Sequence, residues 1–517
     1  MVACVGWRCK PRWQVSGCNP TMNGHGQSDR PVVSEKRPNN AALAVTEGVE
    51  KRGLAKGNPQ ERNTFRTQSR ADVQRALERI RQSAKTKRKE RFTALYHHIC
   101  NPAFLRTAFF ALKKDAAPGV DGMTWDVYQE KLEENILDLS GRLKRNGYRA
   151  KAVRRVFIPK AGGGERPLGV TALEDKIVQR ATAAVLNAIY ETDFLPFSYG
   201  FRPGRSQHLC SDALCLGVFK RQVNWVLDAD IRGFFDAIDH KWMVRFLEHR
   251  IGDQRVLRLI QKWLKAGVLE AGKTVAQSEA GTPQGGSISP LLANIYLHYA
   301  LDLWVQAWRK RRAQGDVIIV RWADDFIVGF QHRWDAERFK RELGERFSRF
   351  LLELHPEKTR LFEFGRYAAI NRARRGLGKP ETFDFLGFTH ICGRNLKGQF
   401  MVLRKTMRKR LKLRLAGVKL GLRKRLHHPV PTVGKWLGQV VGGYFQYHGI
   451  PMNMRALEGF RHRVVRLWSQ SIRRRSHMHR CGWDRMTRLA NKYLPMPKVV
   501  HPYPSQRFGV IPKAGAG

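Results

Sequence analysis

The sequence predicts an α+β protein of two or three domains that ends in a basic, all-helical region. At 517 residues the chain exceeds what one compact core accommodates. From about Ala103 to Leu396, short apolar strands alternate with helical segments and Gly-rich turns, without an internal repeat of fixed period. Beyond residue 400 the apolar residues recur at helical spacing.

Composition narrows the partners. Hydrophobic residues make up 42% of the chain and aromatics 10%, an ordinary globular share that excludes wholesale disorder. Lys plus Arg number 94 against 44 Asp plus Glu, a net charge of +50, which calls for a large polyanion, and nucleic acid is the default one. A membrane partner is not expected, because no apolar run approaches the ~18 residues of a span. Met1–Trp13 lacks the apolar core of a secretory signal. Eight scattered cysteines form no disulfide framework, so a cytoplasmic protein is expected.

Along the chain, residues 1–60 read as a disordered basic tail, rich in Gly, Asn, Pro and Ser. Cys4, Cys9, Cys18 and His25 lack the paired spacing of a zinc site. Ser69 to Ile99 reads as one basic amphipathic helix with Val73, Leu77, Ile80 and Ala84 on a stripe; it either packs on the core or lies along a phosphate backbone. Near the end, Met407, Leu411, Leu415, Val418 and Leu422 mark one helix, Trp436 to Phe445 a second, and Leu457 to Trp468 a third, a small bundle. Residues 401–500 hold 24 Lys and Arg against Glu458 and Asp484 alone, a charge of +22 suited to a nucleic-acid face. His477, His479 and Cys481, at steps of two in an Arg-rich segment, fit an exposed stretch better than a metal site.

The sharpest local feature runs from Val317 to Phe330, where two β-branched apolar runs flank Ala323-Asp324-Asp325 and read as a hairpin. Adjacent aspartates are common turn formers. Flanked by buried runs, however, they repel each other unless a cation neutralises them. Upstream, Trp225 to Asp230 reads as a strand whose period places Asp228 and Asp230 on one face. If the two strands are sheet neighbours, Asp230 joins Asp324 and Asp325. Three carboxylates can then hold two Mg²⁺ ions ~3.5–4 Å apart for in-line phosphoryl transfer, and hard oxygen ligands favour Mg²⁺ over zinc.

Ala-Asp-Asp on a hairpin, preceded by Asp230-Ile231-Arg232-Gly233-Phe234-Phe235-Asp236, resembles the palm of reverse transcriptases. Phe157-Ile158-Pro159-Lys160, the turn Gly162–Gly164 and Arg166-Pro167-Leu168-Gly169 resemble that family's fingers hairpin. Ser198 to Ser206 (Ser-Tyr-Gly-Phe-Arg-Pro-Gly-Arg-Ser), Gly281 to Asn294, Leu354 to Thr359 and Phe383 to Phe388 follow in the family's order. The resemblance covers about Arg91 to Leu494, and the chain is identified as a member of the group II intron reverse transcriptases and maturases, of the bacterial type.

That resemblance implies a right-hand polymerase fold with fingers, palm and an α-helical thumb or maturase domain. Its expected divisions are a tail at 1–60, an N-terminal extension and fingers at 61–180, the palm at 181–395, the thumb at 396–495 and a C-terminal tail at 496–517. It implies that Asp230, Asp324 and Asp325 are catalytic and bind two Mg²⁺ with help from the Ile231 carbonyl. Lys160 and Arg166 would clamp the dNTP triphosphate, a task suited to two cations flanking a flexible turn. Phe235 would exclude a ribose 2′-OH, Gln284 would contact the nucleotide or template, and Lys358 would protonate the leaving pyrophosphate. Gly285 and Gly286 would let backbone approach the duplex. Trp322, standing where the family usually has tyrosine, would pack near the primer terminus. The implied partners are group II intron RNA, a DNA primer and target DNA, in a bacterial, nucleoid-associated setting. With Cys481 the only cysteine beyond Cys392, no zinc-supported HNH nuclease is expected. Two other functions fit parts of the pattern, an RNA-binding splicing cofactor with an inactive palm and a retron or defence-type reverse transcriptase.

Overall fold

The computed structural model describes residues 59–159, 165–270, 273–275, 281, 285–395, 398–475 and 482–509. Its strands are, in chain order, β1 (Val153–Pro159), β2 (Glu165–Val170), β3 (Trp225–Ala229), β4 (Val268–Glu270) and β5 (Lys273–Val275). They continue with β6 (Val317–Trp322), β7 (Asp325–Phe330), β8 (Arg360–Glu363), β9 (Phe383–Phe385), β10 (Phe388–Arg394) and β11 (Phe400–Thr406). Three sheets result, ordered β2-β1-β4-β5, β6-β7-β3-β8 and β11-β10-β9. All pairings are antiparallel except β1 with β4. This is the expected α+β architecture.

The sheet β6-β7-β3-β8 is buried on both faces, which is why its strands read as apolar runs rather than as alternations. Leu227, Ala229, Val317, Ile319, Phe326, Val328 and Phe330 enter the main core, which the helices share. Val226, Ile318, Val320 and Ile327 turn to a second core closed by Phe362, Phe383, Phe385 and Phe508. The period-two side-chain alternation therefore divides one sheet between two cores.

The N-terminal helix spans Pro59–Thr86 and buries Val73, Leu77, Ile80 and Ala84 against the helices Pro102–Phe110 and Leu173–Tyr190. The stripe packs on the core, as one of the two expectations for this helix had it. The helix expected to continue to Ile99 ends at Thr86, and a new turn begins at Tyr96. The buried Arg250 explains the break: its guanidinium donates to the carbonyls of Ala84 (3.3 Å), Lys87 (3.1 Å), Arg88 and Glu90 (3.2 Å). One carbonyl of the helix's last turn, that of Ala84, and three just beyond its end are thereby satisfied without another turn.

Among the described residues the C-terminal bundle consists of four helices, Arg408–Lys424, Val430–His448, Met454–Arg473 and Trp483–Tyr493, one more than the apolar stripes predicted, and the short helix Pro504–Arg507 follows them. Trp468 is fully buried among them, and Tyr444 stacks on Phe460 at 3.7 Å. Of the segment expected to be a tail at 496–517, the described residues, up to 509, dock. Val500 and His501 donate to the Gly449 carbonyl (2.7 and 3.0 Å), Arg507 pairs with Asp212 at 2.7 Å, and Phe508 is buried in the second core. The boundary expected at 180/181 falls inside the helix Leu173–Tyr190, and that at 395/396 inside the β10–β11 hairpin. No helix among the described residues is long and apolar enough to cross a membrane. The cysteine and histidine groups at residues 4–25 and 477–481 lie outside the described residues.

Candidate active site

Register builds the site. In the β6–β7 hairpin Trp322 pairs with Asp325, which leaves Ala323 and Asp324 as a two-residue turn. Ala323 takes φ 57°, the positive value that a tight hairpin turn demands at its first central residue. A β-carbon on Gly200 would stand 2.4 Å from the Ala323 nitrogen, so only glycine lets the Ser198–Ser206 segment lie against the turn. On the other side of β7, Ala229 pairs with Phe326, and the next residue of β3's chain, Asp230, comes level with Asp325. The sheet neighbours required by the sequence pattern are real.

The carboxylates of Asp230, Asp324 and Asp325 consequently offer oxygens that all lie within 4.8 Å of one another. Asp325 is open to solvent, yet its carboxylate stands among those of Asp230 and Asp324. Burial, followed by the charges of Asp324, Asp230 and Asp228, pushes its pKa up to about 7, against the pull of Lys358. Asp228 is raised to about 6, chiefly by burial, while its ion pair with Arg360 at 3.5 Å works in the opposite direction. Asp228 thus shares the expected face but stands outside the trio. A cluster that resists its own ionisation is relieved by a cation, and an all-carboxylate donor set suits a hard divalent ion. The geometry fits such an ion.

The Leu354–Thr359 segment is tied to the same place. Ile231 bridges to Leu354, the Asp230 carbonyl accepts from the His355 N–H at 2.8 Å, and the Arg232 N–H donates to Glu353 at 2.9 Å. Lys358 is thereby brought to the trio, where its ammonium donates to Asp230 at 2.5 Å. Phe235 is half-buried on a short helix that follows Gly233, edge-on to Phe234 at 5.5 Å. Gly281 lies along the backbone of Phe235 and Asp236, held by the Ile238 carbonyl (2.8 Å) and by His240 (2.7 Å). Trp322 packs partly into the second core.

Gly285 has φ 119°, and a β-carbon there would meet the Gly169 carbonyl at 2.4 Å, so its lack of a side chain permits a close approach to β2 of this chain. Gly286 borders a small cleft with Lys151, Asp175 and Gln179, and the neighbouring Ser287 N–H donates to Gln179 at 2.9 Å. Arg166 is in β2, paired with Ile158, but its side chain is outside the described atoms, and Lys160 and Gln284 lie outside the described residues.

The sequence reading missed Arg321, whose guanidinium is fully buried directly behind the turn, and its partners Ser198, Asn294 and Asp302. A lone arginine within Val-Ile-Ile-Val-Arg-Trp was the available signal, because a charge in a doubly buried strand demands partners.

Comparison with known proteins agrees with this arrangement. The family model described as reverse transcriptase (RNA-dependent DNA polymerase) matches residues 158–390. Protein YkfC of Escherichia coli (strain K12) is 38% identical over 269 residues, which cover 46% of this chain and 70% of that protein. The group II intron-encoded protein LtrA of Lactococcus lactis subsp. cremoris is 34% identical over 291 residues, 55% of this chain and 47% of that one. The nuclear intron maturase 2 of Arabidopsis thaliana, a mitochondrial protein, is 26% identical over 243 residues, 38% of this chain and 30% of its own length. The chain thus spans about half the length of the LtrA proteins it matches. Acidic trio, hairpin turn and matched relatives together show that this chain belongs to the reverse transcriptase family, on the branch of group II intron-encoded proteins.

Proposed function

We propose that the chain is an RNA-directed DNA polymerase that copies group II intron RNA from a DNA primer and, as a maturase, holds that RNA in a splicing-competent form. The observation that carries this reading is the convergence of Asp230, Asp324 and Asp325 within 4.8 Å. These three, with the Ile231 carbonyl, would hold two Mg²⁺ ions. When bound, such ions lower the pKa of a primer 3′-hydroxyl and neutralise charge on the leaving pyrophosphate. The protein's own groups do the rest. Lys160 and Arg166 clamp the triphosphate, and Gln284 contacts nucleotide or template backbone. Lys358 gives a proton to the leaving group, a role that its contact with Asp230 supports. Phe235 stands under the sugar and rejects a 2′-OH, Trp322 supports the primer terminus, and Gly286, with Gly285, borders the duplex. The basic helices beyond residue 400 grip intron RNA and primer–template, as a charge of +22 over residues 401–500 supports.

In this reading the fingers fall within 61–180, the palm within 181–395 and the thumb within 396–495, and the protein acts on target DNA in the bacterial nucleoid. Primer extension on poly(rA)/oligo(dT) with dTTP tests it. Extension that requires Mg²⁺ and disappears in Asp324→Asn is expected, whereas Mg²⁺-dependent extension by that variant at the wild-type rate would refute it.

A further inference from the structure

We propose that Arg321 is a positioning residue that sets the Ala323-Asp324 turn, and that Asn294 and Asp302 hold it in place. The inference rests on the trio being a divalent-cation site and goes beyond that reading by naming what aims it.

Arg321 is fully buried in a strand whose neighbours are apolar. A guanidinium survives there only if its five N–H donors are satisfied, and all five are. Nε donates to Asp302 Oδ1 (2.8 Å). Nη2 donates to Asp302 Oδ2 (2.5 Å) and Ser198 Oγ (2.7 Å). Nη1 donates to Asn294 Oδ1 (3.0 Å) and to the carbonyl of Ala323 (2.9 Å). The last bond grips the turn itself, one residue before Asp324. Ala323 is a non-glycine residue at φ 57°, a conformation that persists only where its surroundings over-determine it. The Asn294 amide completes the clamp by donating to the Gly200 carbonyl at 2.7 Å, and Gly200 is the residue pressed against the Ala323 nitrogen.

Helix geometry explains how two acceptors meet one guanidinium. Asn294 lies on the helix Ser289–Leu297, and Asp302 closes a π-helical turn, His298–Asp302, that continues it. Eight residues apart on a regular α-helix, they would point ~80° away from each other. Looping out one residue in a π turn restores a spacing of seven, which brings them within ~20° on the same face. The irregular turn is thus what presents both side chains to Arg321. A pair needed only for stability would be replaceable by apolar residues. This one spends a donor on the backbone of the turn that carries the acid, as the supporting contacts of metal ligands do.

The test uses the full chain and three variants, Asn294→Ala, Arg321→Lys and Arg404→Lys. The last perturbs another buried pair, Arg404–Asp212 at 2.6 Å, between β11 and the helix Gln207–Lys220. Mn²⁺ binding is read by electron paramagnetic resonance, alongside thermal unfolding and the Mg²⁺ concentration for half-maximal primer extension. Asn294→Ala and Arg321→Lys are expected to weaken Mn²⁺ binding roughly ten- to a hundredfold and to raise the half-maximal Mg²⁺ correspondingly. Arg404→Lys should melt earlier yet bind Mn²⁺ as the wild type does. If Arg321→Lys fails to fold, Asn294→Ala decides by the same criterion. Wild-type affinity in Asn294→Ala and in every folded Arg321 variant would overturn the proposal, as would an equal loss in Arg404→Lys. Wild-type protein that binds no Mn²⁺ would instead overturn the cation-site reading on which it rests.

Discussion

Replacing Asp325 with asparagine should abolish primer extension and yet stabilise the cation-free protein. In the folded chain Asp325 keeps its proton to about pH 7, whereas the ordinary carboxylate value is 3.8. Between those values the folded state holds a proton that the unfolded chain has released, so stability falls as pH rises and the cost is complete above pH 7. At 1.36 kcal/mol per pH unit, the unscreened ceiling is about 4 kcal/mol. Asp325 is open to solvent, and screening brings the expected effect to about 1–2 kcal/mol. The assay is thermal unfolding in EDTA at pH 5 and pH 8. Asp325→Asn should melt about 1 °C higher per kcal/mol at pH 8, with a smaller gain at pH 5, where Asp325 is mostly protonated already. With Mg²⁺ added, the wild type should gain about 1.4 kcal/mol once the ion reaches ten times its dissociation constant, and the variant should gain less. A variant that melts lower than wild type in EDTA at pH 8, with unchanged secondary structure, would refute the claim that the three carboxylates oppose one another.

Three further outcomes follow from other parts of the molecule. Phe235→Ala should raise rNTP incorporation relative to dNTP by about a hundredfold, the discrimination a pocket achieves on one hydroxyl, as read by single-nucleotide extension; unchanged sugar preference would remove Phe235 from the nucleotide site. Gly200→Ala should leave the fold intact but cut extension about a hundredfold, since its β-carbon would displace the Ala323 nitrogen from 2.4 Å and a 1 Å misplacement costs that much; wild-type turnover would show the turn to be tolerant. Arg250→Ala should cost about 3–5 kcal/mol in denaturant unfolding by stranding Asp193, its partner at 2.9 Å. Burial already raises the Asp193 pKa and Arg250 lowers it, so the loss should deepen as pH rises above the ordinary carboxylate range, and a pH-independent loss would contradict the pairing.

The parts of the fold legible in the sequence are those governed by local period. The β6–β7 hairpin, the period-two placement of Asp228 and Asp230 and the helical stripes at Val418 or Phe460 all express geometry within one element. What escaped detection depends on partners remote in the chain. The helix that stops at Thr86 does so for a guanidinium more than 160 residues away, at Arg250. The helix Trp483–Tyr493 buries only Met486 and Ala490, too few to write a stripe. In the site, strand patterns placed the acids, but Ser198 lies 123 residues from the Arg321 it serves.

That division bears on how the acidic trio works. Carboxylates crowded within 4.8 Å repel, and a flexible turn would let them swing apart. Local sequence can supply the acids and the hairpin that bears two of them, but it cannot supply the restraint. Here restraint comes from three separate segments: Gly200 packs against the turn, the Leu354–Lys358 segment is bridged to Ile231, and Asn294 and Asp302 reach it through Arg321. Each of these segments also belongs to a motif or helix next to a proposed substrate contact. The contacts that keep the carboxylates together in the face of their own repulsion are therefore the same contacts that join the palm strands to the groups around them, and loosening any one should weaken cation binding before it unfolds the sheet.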